Sequence, residues 1–278
     1  LRDTMNPTIK VYTAAELSAA IDKRGADVLS LVKKTKPATY GGTEFLNARF
    51  HVGDTPSEGW FSLENVPLSI GVADPADKSD ARNQYESIRA VLQTTLSRAG
   101  AFGEALMKLN PIWEKKANEF ADEDRKVHSL IQTNLSKKNL TNPRGVIEDP
   151  IIRLKIDFST FPAKYPHSFL RNQPRTTILD FDETIEEGGK IRYRPMMVST
   201  ADGLEPINSR NMHQVLTAGA IIKYARVMIP SCAVSDHWIS LPITLNNVII
   251  QRAPPAGFTD EIAFNMAELR QALTVGGG

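Results

Sequence analysis

Only one cysteine occurs in 278 residues, so the chain can form no internal disulfide and assemble no multi-thiolate metal site. That residue, Cys232, reads as a small buried hydrophobe, and its solitude suits a reducing compartment. Long apolar runs are missing too. Stretches such as 218–222 are far too short to cross a bilayer, and the first residues lack the basic-then-apolar order of a secretory leader. The expectation is a soluble, intracellular protein with no membrane partner. Residues 1–4, which precede Met5, and the closing Gly276-Gly277-Gly278 are left out of the fold reading.

Net charge is nearly absent, at +1 with a pI near 8.0, whereas nucleic-acid-binding domains are often much more basic. The distribution is more telling than the total. Lys137, Lys138, Arg144, Arg153, Lys155, Lys164, Arg171 and Arg175 face only Glu148, Asp149 and Asp157 across the same segment, which is therefore locally positive. Residues 77–126 balance their charges and read as solvated helix surface.

Catalytic signatures are sparse. Gly41-Gly42 and Gly188-Gly189 are isolated pairs without the spacing that cradles phosphates. The histidines at 51, 128, 167, 213 and 237 lack zinc-ligand spacing, so neither a metal nor a cofactor is expected. Ser235, Asp236 and His237 hold triad residue types, but sequence neighbours rarely converge as nucleophile, base and orienter, and they read as a turn. The sharpest enzyme-like string is Ile178-Leu179-Asp180-Phe181-Asp182-Glu183-Thr184, the Asp-x-Asp-x-Thr pattern of haloacid-dehalogenase-like phosphatases. That chemistry needs the pair at the end of a buried parallel strand leading into a helix. Here Glu186-Glu187-Gly188-Gly189 leads towards another strand, so an acidic surface loop is the plainer reading.

What is present is a strand-rich pattern interrupted by helices. Thr13 and Glu16 make a capping box for a helix carrying Leu17, Ala20 and Ile21. Residues 45–52 alternate as a half-buried strand, and 60–63 follow as a hairpin partner across a long loop. Helical spacing runs through Tyr85, Ile88, Val91, Leu92 and Leu96, then Phe102, Leu106 and Leu109. Pro111 is placed at the start of a further helix with Trp113, Ala117, Phe120, Val127, Leu130 and Ile131. Residues 151–158 give the clearest strand, with Ile152, Leu154 and Ile156 on one face and Arg153 and Lys155 on the other. Strands follow around 177–181, 191–198, 220–229 and 243–252, and Thr259 caps a last helix. The predicted architecture is a single α+β domain over 1–278, an antiparallel barrel with a helical insertion at about 80–140 and a C-terminal helix at about 259–273.

Cations interleaved with aromatics form the remaining signal. Binding of unpaired strands needs positive charge along the phosphates and flat rings under the bases. Lys33, Lys34, Lys36 and Tyr40 lead into Phe45, Arg49 and then Trp60. Arg153 and Lys155 lead into Lys164, Tyr165, Phe169, Arg171 and Arg175, and Arg192, Tyr193 and Arg194 form a third group. For each group the plainer reading is core aromatics with solvating cations.

One stretch, 206–252, has a spacing of its own. Asn208, Asn211 and His213, a helical turn ending near Ala218, a strand through Val227, then Ser235, Ile239, Ser240 and Pro242 before a final apolar strand resemble the single-stranded-DNA-binding proteins of large nucleocytoplasmic DNA viruses, the African swine fever virus type. Residues 149–156, with Pro150 and alternating basic residues, are similar to that family's strand after its helical insertion. The resemblance implies an oligonucleotide-binding barrel (OB-fold) and a non-enzymatic viral protein that coats single-stranded DNA during replication, recombination and repair. It implies single-stranded DNA as partner, with RNA, replication proteins and further copies of the chain as additional candidates. It also implies residence at the viral replication site in host cytoplasm or nucleus, or in the virion. Trp238 stands where the family has glycine, and Cys232 lies one position early. Trp238 is read as core or barrel closure, with a stacking platform as its alternative. Two rivals remain: the phosphatase built on Asp180 and Asp182, and a virion structural or scaffold protein.

Overall fold

Thr13 and Glu16 start the first helix as the sequence leads one to expect. Glu16 N–H donates to Thr13 Oγ1 at 3.1 Å while Thr13 N–H donates to Glu16 Oε2 at 2.7 Å, so two otherwise orphaned donors are satisfied reciprocally. Helix α1 (Ala14–Arg24) buries Leu17, Ala20 and Ile21 and stops at Gly25, whose φ of 56° favours a residue without Cβ. The computed structural model describes residues 9–33, 39–40, 43–69, 71–72, 89–121, 125–134, 146–201 and 203–254.

The first strands are β1 (Leu29–Lys33), β2 (Thr39–Tyr40), β3 (Thr43–Phe50), β4 (Gly59–Pro67) and β5 (Arg89–Thr95). Helix α2 (Gly100–Asn118) precedes β6 (Lys126–Val127), β7 (Ile131–Asn134), β8 (Val146–Asp157), β9 (Thr177–Glu187) and β10 (Lys190–Pro195). The chain continues through β11 (Met197–Thr200), β12 (Gly203–Pro206), β13 (Ile221–Ile229), β14 (Ser231–Val234), β15 (Trp238–Ser240) and β16 (Thr244–Gln251).

These strands make two curled half-barrel sheets and a small hairpin, an α+β arrangement dominated by strands. One sheet has the order β1-β3-β14-β15-β6, with β2 on β3; the other has β10-β9-β16-β13-β4, with β8 on β16 and carrying β5 and β7. The sheets turn Leu46, Ala48 and Phe50 of β3, Phe61 and Leu63 of β4, Ala225 and Val227 of β13, and Val248 and Ile250 of β16 into one apolar core. Helix α2 adds Phe102, Ala105, Leu106, Leu109, Trp113 and Ala117, a continuous stripe at helical spacing. The close approach of β4 to β3 depends on Gly59, where a Cβ would meet the Phe50 ring at 2.5 Å and the Ile229 carbonyl at 3.1 Å.

Several sequence expectations are corrected. Residues 89–95 form a strand instead of a helix, because the backbone of β5 pairs with β8 over seven consecutive residues from Arg89↔Asp157 to Thr95↔Ile151. Val91, Thr94 and Thr95 are β-branched and suit this ladder better than a helix. Pro111 lies inside α2 and does not begin a new helix. Its missing N–H orphans the Met107 carbonyl on a turn whose side chain is 55% exposed, where water can take its place. Val127 and Ile131 belong to β6 and β7, so α2 is the only long helix among the described residues of the expected insertion. Strands β3 and β4 are not a hairpin. They enter different sheets and meet through side chains, with the Phe50 and Phe61 rings edge to face at 5.1 Å, while the one bridge of the segment, Phe50↔Ser57, lies before β4 begins. The sheets are mixed and not purely antiparallel, since β6–β15, β8–β16 and β9–β16 run parallel. The expected C-terminal helix at about 259–273 lies outside the described residues.

Candidate nucleic-acid interface

Register places Trp60, Met228, Thr244 and Lys155 in one row across β4, β13, β16 and β8, on the sheet face turned away from the main core. Trp60 and Met228 do not pack into that core. They join Phe161 and Leu170 in a second small cluster, with Tyr165 against it, because the β8–β9 connector folds over this end of the sheet. Trp60 is 2% exposed and acts as the floor of the cluster, which corrects its assignment as a ring offered to bases.

Glu58, at the crossover between the sheets, gathers four of the surrounding side chains. It accepts from Trp60 Nε1 at 3.3 Å and from the Tyr165 hydroxyl at 3.4 Å, lies 3.3 Å from His167 Nε2, and pairs with Arg49 at 3.9 Å. Burial, then the Glu58 charge, pushes the Tyr165 hydroxyl well above its ordinary range. An aromatic run follows the connector outward, with ring centroids 4.6 Å apart for Phe161–Tyr165, 5.8 Å for Tyr165–His167 and 6.0 Å for His167–Phe169. Arg175 lies over Phe161 with its guanidinium carbon 4.9 Å from the centroid, and Arg171 Nε donates to the Tyr165 carbonyl at 2.6 Å. Arg49 of β3 therefore joins Tyr165, Phe169, Arg171 and Arg175 of the β8–β9 connector in one patch, although the two segments are far apart in sequence. Lys164 is exposed on the same connector.

The same outer face continues along the large sheet. Glu64, Tyr224, Ile249 and Leu179 make the next row, partly covered or exposed and outside the core. Arg226 lies between the rows opposite Ser62, half-buried, with no ion-pair partner among the described residues. Desolvation lowers its affinity for the proton. Beyond it, Phe181 stacks on Tyr193 at 6.1 Å and 20°, and Lys223 lies 5.1 Å from the Phe181 centroid. Arg192 and Arg194 are exposed on edge strand β10, and Arg192 pairs with Glu187 at 2.9 Å. Charges on an edge also discourage strand addition, a structural role available to both.

The smaller sheet has an outer face of its own. Burial alternates along β3, so Phe45, Asn47 and Arg49 point away from the core. Phe45 is opposite Ala233, and Ala233 is opposite Ser240 of β15. Trp238 shares the Ser240 face and stacks on His128 with centroids 5.8 Å apart and planes at 13°. Its ring is partly exposed, so Trp238 lines a surface and is not the barrel plug expected. Lys33 is exposed at the end of β1, Arg153 is exposed on β8, and Lys155 is partly covered in the Met228 row. Lys34 and Lys36 lie outside the described residues, as does the side chain of Tyr40.

Phe181, His128, Lys223, Tyr224 and Arg226 are not among the site residues that the sequence leads one to expect. The last three belong to β13, whose apolar composition reads as buried; a bulge between Ile222 and Tyr224 and the pairing with β4 decide which of its residues face out.

The enzyme-like strings have structural occupations. Asp180 is 4% exposed, within β9 and not at a strand end before a helix, and accepts from Arg252 Nη2 at 3.2 Å. Its other oxygen accepts from Asp182 N–H at 3.1 Å, and β9 continues into the tight turn to β10. Ser235 Oγ accepts from the N–H groups of His237 and Trp238 at 3.3 and 3.1 Å, closing the β14–β15 turn. Burial pushes the Cys232 thiol up to about 12, so it stays protonated at neutral pH. Among the described residues no three His, Cys, Asp or Glu side chains gather as a metal site. No protein-family model matches the chain, and no curated protein matches it significantly.

Proposed function

We propose that this chain is a non-enzymatic, sequence-independent single-stranded-DNA-binding protein, of the kind found in large DNA viruses, built on an oligonucleotide-binding-type barrel. The observation that carries the reading is that the β8–β9 connector, bearing Tyr165, Phe169, Arg171 and Arg175, is joined through Glu58 to Arg49 of β3, a segment far away in sequence. Cations alternate there with aromatic rings, the chemistry that tracks phosphates while leaving flat surfaces for bases of any identity. The outer face of the large sheet extends that surface past Arg226 to the Phe181–Tyr193 stack. Two curled half-barrel sheets, with helices packed beside them, are compatible with the proposed barrel.

The test is fluorescence anisotropy with labelled oligo-dT across a salt series, with a duplex of equal length in parallel. Binding is expected at low salt, to weaken steeply as salt rises because displaced counterions return, and to favour the single strand. No binding of oligo-dT at low salt overturns the proposal, and equal affinity for duplex reduces the surface to a general polyanion site.

A further inference from the structure

We propose that Trp238, His128, Lys126 and Arg153 form a nucleotide-stacking subsite at the far edge of the smaller sheet, where one base lies on the Trp238 ring and its flanking phosphates meet Lys126 and Arg153. The proposal rests on the single-strand-binding reading and adds a location to it.

The parallel pairing of β15 with β6 sets Trp238 beside Lys126 and Ile239 beside Val127. Ile239 is fully buried, and alternation therefore turns Trp238, Lys126 and His128 to the opposite, outer side. His128 holds the indole from one flank as a near-parallel stack, and its own backbone is clamped, since its N–H donates to the Ile239 carbonyl and its carbonyl accepts from Trp113 Nε1 at 2.8 Å. An aromatic surface fixed in this way loses little conformational freedom on taking a further ring. Arg153 comes from the neighbouring sheet: Ile131↔Ile152 is the β7–β8 register, which brings the following residue of β8 towards the 128–130 turn. Lys126 and Arg153 both act electrostatically on His128, the ring that stacks on Trp238.

The ground between this site and Phe45 is narrow and smooth. Ser240 and Ala233 occupy the two intervening positions on the outer face, so Phe45 is two strand spacings, roughly 10 Å, from Ser240. Small residues between two aromatic positions let a strand cross the sheet without meeting a bulky side chain.

The chain contains three tryptophans, and the other two are closed off, Trp60 at 2% and Trp113 at 0% exposure. All three emit, but only Trp238 is open to stack on a base, so comparison of the wild type with Trp238→Phe isolates its contribution. The full-length protein is titrated with labelled oligo-dT while anisotropy and tryptophan emission are recorded together. The expected result is quenching of the wild-type emission on binding. Trp238→Phe abolishes the Trp238 share of the quenching yet keeps affinity within a few-fold, since a flat ring remains, and Trp238→Ala weakens binding roughly 5- to 150-fold. Lys126→Gln, which leaves the ring in place, lowers the salt dependence. Binding with unquenched emission, or Trp238→Ala binding as tightly as wild type, overturns the subsite and leaves the broader reading standing. Absence of any binding at low salt overturns both.

Discussion

The Tyr165 hydroxyl donates to the Glu58 carboxylate at 3.4 Å across a sequence separation of 107 residues. Their contact ties the crossover between the two sheets to the connector that covers the outer face of the large sheet. The first prediction concerns this contact. Glu58→Gln keeps an acceptor but removes the charge, so Tyr165, held up by burial and then by Glu58, titrates closer to its ordinary value. Alkaline absorbance titration reads the change, and an unmoved Tyr165 shows that burial alone sets it. The same variant relieves the surface of one negative charge and is expected to tighten oligo-dT binding at low salt.

Arg226 discriminates a binding role from a structural one. It is a half-buried cation without an ion-pair partner among the described residues, so Arg226→Met removes a desolvated charge and is expected to leave thermal stability unchanged or slightly raised. If the guanidinium neutralises a phosphate, the slope of log affinity against log salt falls in magnitude by about 0.7. A stability loss with an unchanged slope makes Arg226 a packing residue.

His128 makes stability depend on pH. Burial lowers its folded-state pKa below the ordinary 6.5, with Lys126 and Arg153 acting in the same direction. The unfolded chain therefore binds the proton more readily, so the stabilisation is present above about pH 6.5 and is lost as pH falls through and below that value. Urea melts between pH 7.5 and pH 5 are expected to decline, and His128→Gln to flatten part of that decline. Parallel profiles for both proteins would show that other groups carry it.

Asp180 is expected to behave as a structural carboxylate. Arg252 also donates to the Met197 carbonyl at 2.6 Å, so the Asp180–Arg252 pair fastens the end of β16 to β9 and β11. Asp180→Asn is predicted to cost about 1 to 2 kcal/mol in thermal or urea unfolding, the low side for a charged hydrogen bond because Arg252 can rehydrate. Hydrolysis of an aryl phosphate by the wild-type protein with Mg²⁺, abolished in this variant, would instead restore the phosphatase reading.

The candidate surface was legible residue by residue but not as a surface. Arg49, Tyr165, Arg171 and Arg175 stand out as cations and aromatics in the chain, and the connector gathers them. Trp60 has the same chemical signature and is buried, because its row on the sheet lies under Phe161 and Leu170. Arg226 was hidden by the opposite effect, and Trp238, read as core with stacking as its alternative, is turned outward by the pairing of β15 with β6. Arg226 lies in a largely apolar strand whose inward and outward positions depend on its partner strands.

Local signals alone determined the capped first helix, the alternation of Ile152, Leu154 and Ile156, the buried Cys232 and the strand-rich class of the chain. Their cause lies within a few residues, in caps and in the two-residue period of a strand. Only the tertiary structure decided that 89–95 is a strand, that β3 and β4 belong to different sheets, that parallel pairs occur, and that Glu58 meets Tyr165 while His128 meets Trp238. Those outcomes come from backbone pairing between distant segments, which satisfies hydrogen bonds and buries faces that no local window of the sequence contains.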